Sequence, residues 1–198
     1  MRSPLDVSVR LTARSALLAL ALAAISSVGE ARAQGAAATE SAVALRTTFV
    51  TDLDSLQAKF VSLAEAIPAD KYSWRPSPGV RSIGEVFMHV ASEYYVFNPL
   101  AYGATPSPVV GRGQAAFAKF EASSTKEDVL KHLKEGFAYT KQSIGGVEPA
   151  NLVGSRKLFG GEYTIAQTSF AMAGDLHEHL GQLIAYARSI GVKPPWTK

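Results

Sequence analysis

Asp175 and His179 stand four residues apart in the stretch GDLHEHLGQ, residues 174–182. The hydrophobic pattern around this stretch is that of a long helix, and its residues are poor choices for the middle of one. Gly costs about 1 kcal/mol there relative to Ala, and Asp and His are mediocre helix formers. Something other than propensity selects them. A four-residue spacing puts the carboxylate and the imidazole on one helical face, about one turn apart. Two such groups can share a divalent metal ion. His177 lies about 200° around the helix from both and cannot join the same site from the same helix.

A metal needs more ligands than one helix face supplies, so the other elements matter. The pattern predicts a helix over 40–67, with Val43, Leu45, Phe49, Leu53, Leu56, Phe60, Leu63 and Ile67 at three- and four-residue steps and Pro68 ending it. Residues 69–80 read as a Pro-rich connector whose Tyr72 and Trp74 pack against the helices. Ser82 and Glu85 form a capping box for a second helix to Asn98, halted by Pro99. Its inward stripe is Ile83, Val86, Phe87, Val90, Tyr94 and Phe97. Residues 99–122 read as irregular. Ser124 and Glu127 suggest a second capping box opening a third helix to Ile144, with Val129, Leu130, Leu133 and Phe137 inward and Gly145-Gly146 stopping it. Residues 147–162 read as a loop or at most a weak hairpin. The last helix runs from Thr164 to Ile190. Four amphipathic helices and no convincing strand predict an all-α four-helix bundle.

On the last helix the apolar stripe passes through Met172, Leu176, Leu180 and Leu183, and Asp175, His179, Gln182 and Tyr186 form one polar edge of it. His89 sits on the flank of the second helix, with Glu85 and Glu93 one turn to either side. If the two flanks meet, His89, Asp175 and His179 converge as two imidazoles and a carboxylate. Open positions would remain for water or substrate. Glu85 or Glu93 could then orient the His89 ring, and Gln182 or Tyr186 could touch substrate. The plainer alternative makes His89 and His179 packing histidines, Asp175 an ordinary ion-pair partner, and Glu85 and Glu93 solvated or capping charges. His132 points away from the third helix's stripe and is expected in solvent. His177 is expected at a packing edge or a subunit contact.

The 198 residues carry a net charge of +3 and no cysteine. One domain with a true core fits that length. Arg2, Arg10 and Arg14 precede an apolar run of about eleven residues, SALLALALAAI, too short to span a bilayer comfortably. An Ala31-Arg32-Ala33 cleavage pattern follows, so residues 1–33 read as a secretory signal peptide, with an uncleaved anchor as the alternative. Residues 34–39 read as a flexible lead-in and 40–198 as the folded domain. Removing 1–33 takes away four arginines and two acids, leaving 16 basic and 15 acidic residues, a net of +1. That balance argues against nucleic-acid binding. Without cysteine there is no disulfide, thiolate ligand or Cys nucleophile.

Two motifs then carry a resemblance. The run Ile83-Gly84-Glu85-Val86-Phe87-Met88-His89-Val90-Ala91 after Trp74-Arg75-Pro76 resembles the second-helix motif of the DinB/YfiT-like family. The run His179-Leu180-Gly181-Gln182-Leu183-Ile184-Ala185-Tyr186-Ala187-Arg188, followed by Gly191 and Pro194-Pro195-Trp196, resembles its last-helix motif. Together they cover roughly residues 45–197. The resemblance implies a four-helix bundle, commonly dimeric, that binds a divalent metal such as Zn or Ni through three histidines. His89 matches the first of these and His179 the last, while the middle position falls on Asp175. Carboxylate is a legitimate but harder, anionic ligand, so the site is altered in metal preference, weakened or empty. Family members with an assigned activity are often thiol-dependent S-transferases or isomerases, and an exported chain would lack the cytoplasmic thiol pool. The first expectation is therefore an exported, periplasmic or secreted, metal-dependent hydrolase or transferase acting on a small molecule, with no membrane span in its mature form. The second is a non-catalytic exported bundle that binds a small ligand or a partner protein, its metal site lost. A metal-stabilised structural dimer is the third.

Overall fold

The structure, a computed structural model, describes residues 4–158 and 160–196, with side chains from residue 29 onward. The protein is mostly helical. Among the described residues there are five helices rather than four: α1 (Pro4–Ala66), α2 (Ile83–Tyr102), α3 (Gln114–Ala122), α4 (Lys126–Gly145) and α5 (Ile165–Ser189). A short antiparallel hairpin, β1 (Ser155–Leu158) and β2 (Gly161–Thr164), precedes α5. By packing, the chain divides into two units, residues 1–41 and 42–198, and the core and the site belong to the second. The expected signal segment falls mostly on positions whose side chains lie outside the described residues. The expected lead-in, 34–39, is helical and continuous with α1. Among the described residues no helix is long and apolar enough to cross a membrane.

The core is built from the predicted stripes. Leu53, Leu56, Phe60 and Leu63 of α1 are fully buried with Val86, Phe87 and Val90 of α2, Leu133 and Phe137 of α4, and Leu183 of α5. Phe60 meets both Phe87 and Phe137, with ring centroids 6.4 and 5.8 Å apart. Helices α2 and α4 approach closely at Gly136, where an added Cβ would lie 2.6 Å from the Tyr94 ring. Nearby, the buried Asn98 amide donates to Thr140 Oγ1 at 2.8 Å. The connector packs as expected: the Tyr72 hydroxyl donates to the Ala64 carbonyl at 2.7 Å, and Trp74 stands edge-on to Tyr186.

Four local expectations are corrected. Pro99 does not end α2. A proline this close to a helix C-terminus forfeits little of the hydrogen-bond ladder, and the helix stops a turn later at Gly103, whose φ of 69° favours glycine. The α4 cap is one residue later than expected: Thr125, not Ser124, accepts from a backbone N–H, that of Asp128, and the Asp128 carboxylate accepts from both Ser123 and Thr125. Residues 99–122 are not irregular throughout, because α3 lies within them. Residues 155–164 form a true hairpin, turned at Gly160 with φ 79°. The capping boxes at Ser82/Glu85 and Thr164/Gln167 launch α2 and α5, the two helices that carry the site.

Candidate metal centre

Helix α2 presents His89 and Glu93 one turn apart, and α5 presents Asp175 and His179 the same way. The two pairs face each other. The His89 and His179 rings meet edge to face with centroids 5.0 Å apart, and His89 Nε2 lies 3.2 Å from Glu93 Oε1. One ligand atom from each of His89, Glu93 and His179 falls within 4.8 Å of the other two. Asp175, expected as the third ligand, stands beside this group. Its Oδ1 is 3.7 Å from His179 Nε2, and its carboxyl neighbours that of Glu93. Glu93, read from sequence as an orienting group, occupies the carboxylate position of the triad instead.

Both rings are held from behind. His89 Nδ1 lies 2.7 Å from Glu121 Oε1 on α3, and Glu121 is gripped by Arg81 at 3.0 Å. An ionised carboxylate only accepts, so Nδ1 carries the proton and Nε2 turns to the site. On α5, the Gln182 amide donates to the Tyr186 hydroxyl at 3.0 Å, which leaves Gln182 Oε1 to accept from His179 Nδ1 at 3.2 Å. His179 Nε2 is thereby also turned to the site. A line of hydrogen bonds therefore runs Arg81–Glu121–His89 on one side and His179–Gln182–Tyr186 on the other, with the gap between the two imidazoles. Glu85 takes no part: it closes the α2 capping box and pairs with Arg75 at 3.1 Å. Gln182 and Tyr186 hold the His179 ring.

The electrostatics show what the gap requires. Burial alone would lower the His89 pKa, but hydrogen bonding to and the charge of Glu93, then the bond to Glu121, outweigh it and raise it. Burial likewise pushes against ionised Glu93, yet His89 and Asp175 hold its carboxyl below the usual range. The Asp175 carboxyl is pushed up to about 7, by burial first and then by Glu93. Glu93 Oε2 is buried without a hydrogen-bond donor. With both carboxyls ionised nothing satisfies it, and only a proton on Asp175 or a cation does. Two imidazole nitrogens, once free of their site-facing protons, and the Glu93 carboxylate are a donor set suited to a borderline divalent ion such as Zn or Ni. The residues fit such an ion. Ligand atoms of a tetrahedral zinc lie about 3.4 Å apart, so the 3.2 Å His89–Glu93 spacing needs little adjustment.

The other two histidines stand outside this group. His177 is half-exposed and pairs with Asp52 on α1 at 3.0 Å. His132, expected in solvent, is largely covered: α3 lays Phe120 against it with centroids 4.8 Å apart. Sequence reasoning missed Glu121 and Arg81 because α3 was not recognised. The remaining signal was weak: a lone acid ending the short apolar run AAFAKFEA.

A mostly helical chain with a half-buried His/Glu/His cluster on two facing helices defines a class of candidate metalloprotein. The comparisons narrow it. The sequence profile of the DinB superfamily matches residues 52–183, and the chain belongs to that superfamily. The fold is similar to that of a DinB-like protein, YjoA, from Bacillus subtilis, with a TM-score of 0.57, 20% identity, and coverage of 73% of this chain and 92% of that one. It is also similar to a DinB-like protein from Bacillus cereus, with a TM-score of 0.59, 12% identity, and coverage of 76% and 95%. Comparison with curated proteins gives no match.

Proposed function

We propose that the protein is an exported DinB-superfamily hydrolase that holds one divalent ion, Zn or Ni, through His89, Glu93 and His179. The observation that carries this reading is the shared orientation of the two imidazoles. Each has its Nδ1 bound to an acceptor, and each turns Nε2 to the gap between α2 and α5, His89 toward Glu93 and His179 toward Asp175. Packing histidines have no need of that arrangement. A bound ion would supply Lewis-acid polarisation of a substrate oxygen and would acidify a coordinated water. The chain's own contribution is orientation by Glu121 and Gln182, partial exclusion of bulk water, and a half-exposed carboxyl at Asp175 placed to exchange a proton with a molecule in the adjoining cavity. Hydrolysis is preferred to thiol transfer because an exported chain meets water and not a cytoplasmic thiol pool. Export rests on the composition of residues 1–33. A homodimer accompanies this reading, supported by Phe170, 82% exposed, and Leu45, 55% exposed, which line one groove between α1 and α5.

The rival reading, a non-catalytic exported binding protein, has one feature in its favour. His89 between two carboxylates, with Asp175 sharing a proton with Glu93, satisfies the cluster without an ion. The test is hydrolysis of a panel of neutral esters and amides by the untagged protein before chelation, after it, and after Zn or Ni is restored. Activity lost on chelation and recovered with the ion is expected. Undiminished activity after complete ion removal, or no activity in any ion-loaded state, contradicts the proposal.

A further inference from the structure

A cavity of about 290 Å³ opens directly beside the centre. Phe97 and Tyr94 of α2, Leu158 of the hairpin, and Met172 and Leu176 of α5 give it apolar walls. Glu93 and Asp175 form its polar end, and among the described residues no basic side chain lines it. Two of these residues carry buried oxygens with no hydrogen-bond partner, Glu93 Oε2 and the Tyr94 hydroxyl. A concave apolar space with a few polar groups at one end is the usual form of a small-molecule site. At about 30 Å³ for each water-sized group, the volume suits about ten non-hydrogen atoms. In the ion-free protein an anionic ligand would bring its charge against two carboxyls with no counter-charge from the described walls, so the cavity there favours an uncharged occupant.

We propose that this cavity binds the apolar body of the substrate: a neutral molecule with a compact hydrocarbon part of about eight to ten carbons, carrying an oxygen that lies at the Glu93–Asp175 end. Recognition is by hydrophobic burial along the α2–α5 seam, with β1 as a wall. As a statement about substrate this rests on the metal-site reading, but the cavity is tested without the ion. Binding of straight-chain alkanols from butanol to dodecanol to the full-length protein is measured calorimetrically, with and without a chelator, alongside octanoate. Affinity is expected to rise about fourfold with each added methylene, to level off near ten carbons, and, with the chelator present, to be at least about tenfold weaker for octanoate than for octanol. Ala171→Phe and Thr168→Phe, each lining the cavity on α5, are expected to abolish the chain-length dependence while circular dichroism stays native. Affinity indifferent to chain length, octanoate binding as tightly as octanol in the presence of chelator, or alkanol binding unchanged in both folded variants overturns the proposal. Chain-length-dependent alkanol binding by a protein that takes up no ion supports the cavity assignment and sinks the metal reading alone.

Discussion

His89 sits between two carboxylates, and which of them matters is a question of distance. Glu121 at 2.7 Å fixes the ring, and Glu93 at 3.2 Å faces the gap. Partners of this kind behind a ligating histidine set its tautomer and basicity, and removing one typically costs 10- to 100-fold in affinity. Glu121→Gln is accordingly expected to weaken Zn or Ni binding by about 10- to 100-fold in a titration, with the fold intact, while Glu93→Gln removes a ligand and costs more. The sequence reading grouped His89 and His179 with Asp175, whereas the structure groups them with Glu93, because helical spacing shows which residues share a face but not how far each side chain reaches across to the next helix. Gly174 is a different case. An added Cβ there would meet nothing within 4 Å, and nothing in the structure explains the glycine. Gly174→Ala is expected to raise stability by about 0.5–1 kcal/mol, read as an upward shift in thermal melting.

Helix α3 has nine residues, yet it supplies Glu121 to the site and covers His132. Burial against Phe120 and Tyr95 lowers the His132 pKa, the Glu135 charge being too distant and exposed to offset it, and Nδ1 has no hydrogen-bond partner. With the folded-state pKa depressed, the unfolded chain takes up a proton first as pH falls through about 6.5, and the folded form loses stability from there downward. Above that range the group contributes nothing to the pH dependence. His132→Leu is therefore expected to gain stability relative to the native chain as pH drops from 7.5 to 5.5, measured by urea unfolding, with a constant difference above 7.5. The long helices were legible because stripes such as Phe60, Leu63, Val86 and Val90 repeat over several turns and Ser82/Glu85 and Thr164/Gln167 mark their starts. Helix α3 was not, because two turns give little periodicity and the Gly and Pro residues before it dominate the composition. The hairpin was obscured because two four-residue strands outside the core, with Tyr163 41% exposed, leave no alternation to read.

At the scale of the whole molecule, the DinB-type fold brings residues 89 and 179, ninety positions apart, to within ring contact, and the capping boxes of α2 and α5 fix the register in which they meet. The amino-terminal segment adds a separate expectation. Expressed with residues 1–33 in a host with a secretory pathway, the protein is expected outside the cytoplasm with Gln34 as its first residue by terminal sequencing, whereas a cytoplasmic product starting at Met1 would contradict export. The central claim is that the cluster on α2 and α5 grips an ion, and the most direct measurement is the metal content of the untagged full-length protein purified without added metal. The account predicts close to one Zn or Ni per chain, lost in His179→Ala. No bound metal, together with a melting temperature unmoved by added Zn or Ni, would contradict it.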